Sequence, residues 1–424
     1  MEIGFDISFT DFPVFGPDLG IRDVQAWREQ TWGPRGIELA MDTAVAAGVR
    51  TVNFRVHAPG PMWPSNVPGT TPHNWAIYSR KLGLEPDMGQ WNMVKDGIDI
   101  AHRKGLRVLG WFDMTEGHAG LPTAWSLNHP QFCIVSRDGI RMDGPLGLVG
   151  KDGTTFDKTM VHVDHEELIA RSFMDVYCTR PDGVSIDPQL SFAYPQVVDY
   201  RLALIDEALD YGLDGLFLVA CLGLGYEPPV RDSFKQTHSL DPLDLPEDDP
   251  RWIKHQQSFF TAFVRRVNDL VRQKERATGR KIELIIEGQG GIARPGYREP
   301  EIGWENLPNW GAMPAYIDVE TLARERLVDA LAFWSFRDVD ALPAAVRDNV
   351  RIVSRFRYMS AEQFTEENYH ARVREAEKCG VSLLLINEAR GALARSAWMY
   401  PGPPGPLFRL TQELISREQG GNRS

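Results

Sequence analysis

The sequence predicts an α/β fold, a (β/α)8 TIM barrel with long loops after the strands. Three observations carry that prediction. Eight short apolar runs rich in β-branched or aromatic residues follow one another along the chain, amphipathic helix patterns ending at glycine lie between them, and no glycine-rich phosphate turn follows an early strand. Near-continuous apolar strands alternating with such helices imply a parallel sheet covered on both faces. Eight repeats favour closure over an open doubly wound sheet, which would want G-x-G-x-x-G or G-x-x-x-x-G-K-[ST] after its first strand.

The first run is EIGFDISF at the start of the chain. The second, RTVNFRVH (50–57), follows Gly48, and the third, LRVLGWFD (106–113), follows Gly105. The fourth, LDGLFLVA (213–220), comes after Gly212 and the fifth, KIELIIEG (281–288), after Gly279. DALAFWSF (329–336), VRIVSRFR (350–357) and VSLLLINE (381–388), the last after Gly380, complete the series. Trp91, Val94, Ile98 and Ala101 recur at helical spacing before Gly105, as do Val198, Leu202, Ile205 and Leu209 before Gly212. Glycine suits a helix end because it enters the left-handed conformation at little cost, and Pro195 suits a first turn.

A length of 424 residues would allow two or three domains of roughly 150 residues, yet barrels absorb long insertions. One barrel domain over 1–424 is predicted, with an insertion after strand three at about 114–193. The segments 58–88, 221–251 and 288–316 read as further long loops after strands. A polar tail, SREQGGNRS, follows a last helix around Leu407 to Ser416.

Composition excludes several functions. With 46 Lys+Arg against 58 Asp+Glu the net charge is -12 and the basic residues are scattered, so binding to nucleic acid is not expected. Cys133, Cys178, Cys221 and Cys379 form no CxxC pair, which points away from a zinc site or a disulfide scaffold. HVDHEE (162–167) lacks the H-E-x-x-H pattern, and neither metal nor cofactor is expected. No run reaches the roughly 18 apolar residues of a membrane span, and MEIGFDISF does not resemble a signal peptide, so a soluble, cytoplasmic protein is expected.

In a (β/α)8 barrel the loops after the strands build the active site, so the polar residues at strand ends are the candidates. Strand two offers Asn53, Arg55 and His57, and strand three offers Trp111 and Asp113 with His118 beyond. Strand five ends in Glu287, the sixth run contains Trp334, strand seven ends in Arg355 and Arg357, and strand eight in Asn387 and Glu388. Glycosidic cleavage needs two carboxyl groups about one bond, and Glu287, Glu388 and Asp113 are the available set. An arginine beside one would keep it ionised, whereas an apolar wall such as Trp111 would suit another to acid work. A carboxylate at a strand end equally serves as the structural partner of an arginine. Trp63, Trp75, Trp125, Trp304, Trp310 and Trp398 fall in loops after strands, where flat rings stack on sugar faces. Arg55, Arg355, Arg357 and Arg390 raise the expectation of an anionic sugar, against that of internal ion pairs.

Three stretches carry a resemblance. YPQVVDYRLALIDEALDYGLDGLFL (194–218), GLRVLGWFDM (105–114) with NHPQFCIVSRDG (128–139), and WGAMPAYIDVETLARERLVDALAFW (310–334) resemble glycosyl-hydrolase-like barrels related to glycoside hydrolase family ten, and more broadly barrel glycosidases of bacteria. The resemblance covers the barrel from about strand two to strand six. It implies a carbohydrate-active enzyme, a glycoside hydrolase acting on an oligo- or polysaccharide. Those relatives carry an acid after the fourth strand in a pattern like DGI-x-LD, and here Val219, Ala220 and Cys221 stand in its place. Two alternatives follow: a barrel that binds carbohydrate without hydrolysis, or a sugar lyase or isomerase using a His or Tyr base, for which His57 and His118 are well placed.

Overall fold

Eight parallel strands close into a barrel in the order of the sequence. They are β1 (Glu2–Ile7), β2 (Thr51–His57), β3 (Arg107–Asp113), β4 (Gly215–Ala220), β5 (Glu283–Gly288), β6 (Ala330–Phe333), β7 (Arg351–Arg357) and β8 (Leu383–Asn387), with β8 pairing back onto β1. Each of the eight apolar runs contains one of them. The sixth run, 329–336, holds the strand Ala330–Phe333, and its last residue, Phe336, opens a short helix, Phe336–Asp340. This computed structural model describes residues 1–8, 32–57, 60–70, 86, 90–114, 117–118, 121–122, 124–139, 141, 147–150, 155–157, 176–177, 189–220, 225–288, 317–333, 336–340, 342–357, 366–387 and 406–421.

Side chains alternate across each strand, and the alternation sorts the apolar residues into two layers. Leu109, Phe217, Ile285, Val353 and Leu385 fill the barrel together with Trp111 and Val219. Phe5, Phe54, Phe112, Leu218, Ile286 and Ile386 face outward into the layer shared with the helices. Gly4 of β1 faces inward, and a Cβ there would lie 2.8 Å from the Thr51 carbonyl oxygen and 2.7 Å from Leu385 Cδ2. The N-terminal mouth is closed by charge, since Arg107 of β3 and Arg351 of β7 both donate to the Glu283 carboxylate.

The covering helices include α1 (Gly33–Ala46), α2 (Met93–Arg103), α3 (Pro195–Asp210), α4 (Pro228–His238) and α5 (Pro250–Thr278). Asn92 caps α2 through the Lys95 N–H at 2.9 Å, and Val94, Ile98 and Ala101 form its buried face. Gly105 and Gly212 follow α2 and α3 with φ of 75° and 98°, the left-handed geometry expected of them. In α3 the buried stripe is Val198, Leu204, Ile205, Ala208 and Leu209, with Leu202 at its half-exposed rim.

Among the described residues of the insertion after β3 are a ladder of Gly117–His118 with Leu121–Pro122, a short helix Ala124–Asn128, and three antiparallel strands, Gly147–Gly150, Thr155–Asp157 and Val176–Tyr177. The segment 221–251, expected to be a loop, contains α4. Its sequence PPVRDSFKQTH buries only Val230 and Phe234, too thin a stripe to show as helical periodicity. Among the described residues no helix is long and apolar enough to cross a membrane.

Candidate active site

Period two sends Asp6 of β1, Asn53 and Arg55 of β2, Trp111 and Asp113 of β3, Glu287 of β5 and Arg355 of β7 to the inner face, near the C-terminal ends of their strands. All are buried, Asp113 least so at 9% exposure. Arg355 is the hub. Its Nε donates to Asp6 Oδ2 at 2.6 Å, and its Nη1 donates to both oxygens of Glu287 at 2.9 and 2.8 Å. Asn53 Nδ2 donates to the other Asp6 oxygen at 2.8 Å. Burial works against the Arg355 charge, but Asp6 and Glu287 outweigh it and hold its pKa above the ordinary value.

A second pair lies beside the first. Arg55 Nη2 donates to Asp113 Oδ2 at 2.5 Å, and the Trp111 indole N–H donates to Asp113 Oδ1 at 2.9 Å. The guanidinium carbons of Arg55 and Arg355 lie 4.4 and 4.3 Å from the Trp111 ring centroid, so one indole contacts both cations. The barrel register aligns Asp113 with Val219 and Val219 with Glu287. The two acids therefore stand at one height with a single strand between them, about 10 Å apart at Cα from the usual strand spacing. The residue between them is the apolar Val219, one of the three, with Ala220 and Cys221, that stand where the resemblance would place an acid.

The expected contrast between an arginine-paired carboxylate and one against an apolar Trp111 is not what the geometry shows. Trp111 donates to Asp113 through its N–H, and Asp113 and Glu287 each accept on both oxygens. Arg55 and Arg355 are internal ion-pair partners, the second of the two roles considered for them.

His57 takes another place. The ladder between β2 and β3 shifts register between Arg55 and His57, and the irregularity turns the imidazole to the outer layer. There it stacks on Phe112 at 4.8 Å, with Nε2 3.3 Å from Arg201 Nη1 of α3. Burial first, and the Arg201 charge second, push its pKa well below the ordinary range, so the ring is neutral. Trp63 and Trp125 are also packing residues. Trp63 is fully buried and donates to Glu207 Oε2 at 2.9 Å, and Trp125 stacks on Tyr200 at 4.3 Å.

Glu388, Trp304 and Trp334 lie outside the described residues. His118, Arg357 and Asn387 lie in described strands, with their side chains outside that description. Among the described residues no group of three His, Cys, Asp or Glu side chains could hold a metal ion.

Two acids escaped the sequence reasoning. Asp6 carried a signal, since an acid two residues after Gly4 in EIGFDI, near the strand's C-terminal end, shares the inward face. Glu227, directly before Pro228 of α4, is buried beyond the end of β4. It accepts from Ser191 Oγ and from the Val135 N–H, the latter at 3.2 Å, and burial pushes its pKa up.

No family model matches the chain and no curated protein does, so the family-ten resemblance rests on the sequence segments alone. Solved structures do align with it. An α-L-fucosidase, isoenzyme 2 from Paenibacillus thiaminolyticus, matches with a TM-score of 0.53 and 11% identity over 99% of this chain and 50% of its own. The catalytic domain of a β-amylase from Paenibacillus polymyxa matches with a TM-score of 0.52 and 10% identity over 98% of both chains. What they share is the barrel. The chain spans about half the length of the fucosidase and nearly all of the amylase domain, and at these identities the likeness is one of fold.

Proposed function

We propose that this barrel is a carbohydrate-active enzyme, a glycoside hydrolase whose saccharide substrate meets the C-terminal face over Asp113 and Glu287. The observation that carries the reading is the pair of carboxylates at one height inside the barrel, on strands separated only by β4. Cleavage of a glycosidic bond needs two such groups, one managing the proton of the leaving oxygen or the attacking water and the other meeting the positive charge that develops at the sugar carbon. Asp113 is the more open of the two and accepts on both oxygens, which suits a nucleophile or charge stabiliser. Glu287 takes the acid/base part, and its contact with Arg355 suits it to the base stage. Glu388 is the reserve for the second carboxylate. The glycosidase names of the two fold neighbours agree with this reading.

The test is mass-spectrometric product analysis of the wild type and Glu287→Gln on a panel of neutral, acidic and sulfated oligosaccharides. Cleavage by the wild type alone is expected. Equal cleavage by both would move the acid/base role off Glu287. Val219 between the two acids favours a second reading, a barrel that binds saccharide without cleaving it, and binding with no product from either protein would select that one. His57 faces away from the barrel interior, which counts against it as the base of a lyase, while the His118 side chain lies outside the described residues.

A further inference from the structure

We infer that Trp111 is a positioning residue, its indole N–H fixing the Asp113 carboxylate and its ring joining that carboxylate to the Glu287 pair. The inference deepens the proposed function and rests on Asp113 as a reactive carboxylate.

A carboxylate held at one oxygen still swings about its terminal torsion, which is broad. Asp113 is held at both, by the indole N–H at 2.9 Å and by Arg55 at 2.5 Å, so its plane is set. Arg55 lies over the same indole, and so does Arg355, which carries Glu287 and Asp6. One side chain thus touches the cation behind each acid while also touching Asp113 itself. Tryptophan combines an edge N–H with a broad π face, whereas phenylalanine has the face without the donor. With 6% of its surface exposed and guanidiniums over its ring, Trp111 is a poor platform for a sugar.

Trp111→Phe keeps a ring beneath the arginines and removes the N–H. Loss of a hydrogen bond to a charged group that matters in the transition state is expected to lower kcat on the order of 10-fold with KM within about 2-fold. Trp111→Leu, lacking the ring as well, is expected to fall further. A raised KM with kcat preserved would mark a stacking platform and overturn the inference. So would a Trp111→Phe protein that unfolds at lower temperature but turns over at the wild-type rate. A second arm needs no turnover: the indole N–H resonance of Trp111, identified by its loss in Trp111→Phe, is expected to move upfield in Asp113→Asn. An unmoved resonance would show that the contact does not exist in solution, whatever the assays give. A wild type that cleaves nothing sinks the proposed function, and the resonance still decides the contact.

Discussion

Arg355 has no exposed surface, and neither do the two carboxylates it holds, Asp6 through Nε and Glu287 through Nη1. Desolvation opposes all three charges, and their attraction offsets it only while every partner is present. Removing the cation alone leaves two buried acids without its counter-charge. Arg355→Met is expected to destabilise the fold by about 3–5 kcal/mol, read from the urea midpoint. Adding Asp6→Leu and Glu287→Met should recover most of that loss, since apolar groups of similar volume do not need the partner. An Arg355→Met protein as stable as wild type would mean the three groups are not paired in solution. Asn53, Arg55, Trp111, Asp113, Glu287 and Arg355 could be named from the sequence because each stands near the end of an apolar strand. Their partners could not be named. Asp6 and Arg355 meet across almost the whole chain, and which arginine takes which acid depends on strand order and register. His57 shows the limit of counting by twos, since one irregular step in the β2–β3 ladder moved it to the other face.

At the scale of single elements, two glycines do different work. Gly105 ends α2 at φ 75°, and a Cβ there would meet nothing within 4 Å. Gly105→Ala therefore loses only backbone comfort and should cost about 1 kcal/mol. Gly4 sits where β1 passes β2 and β8, and its Cβ would press on the Thr51 carbonyl as well as on Leu385. Gly4→Ala should cost about 1–3 kcal/mol. Urea unfolding of both variants gives the order, and a Gly4→Ala protein less perturbed than Gly105→Ala would contradict the inward placement of that residue. The strands were legible because most of their residues are buried and apolar or β-branched, each run standing apart from the amphipathic helix patterns around it. The short ladders of the insertion were not, because segments of two to four residues have no period to read and take their shape from each other.

On the scale of the whole molecule, the insertion is tied back to the barrel near Glu227. Its two ends run together, with the Ile134 N–H donating to Gln189 O at 2.8 Å and the Ser191 N–H to Phe132 O at 2.9 Å. Glu227 accepts from both ends, through Val135 and Ser191. Its pKa is raised in the folded protein, mainly by burial, so between the ordinary carboxylate value and the raised one the native state binds more protons than the unfolded chain. The stabilising contribution of that proton is therefore full below the ordinary value and is lost as pH rises through the raised one. Glu227→Gln, which keeps the shape without the charge, should match the wild type near pH 4 and exceed it near pH 8, an expectation that follows from the linkage relation. Denaturation curves at the two pH values provide the check, and a gap independent of pH would leave Glu227 ionised throughout.

The Arg107–Glu283–Arg351 closure at the opposite mouth has a consequence for traffic. Lying beneath the Leu109, Phe217, Ile285, Val353 and Leu385 side chains that fill the interior, it leaves the barrel a cup and not a pipe. On the proposed function, whatever the C-terminal rim admits must leave over the same rim, so a spent molecule and the next arrival compete for one doorway. On that same reading a long polymer is worked on only where it lies across the brim, never by being threaded down the axis.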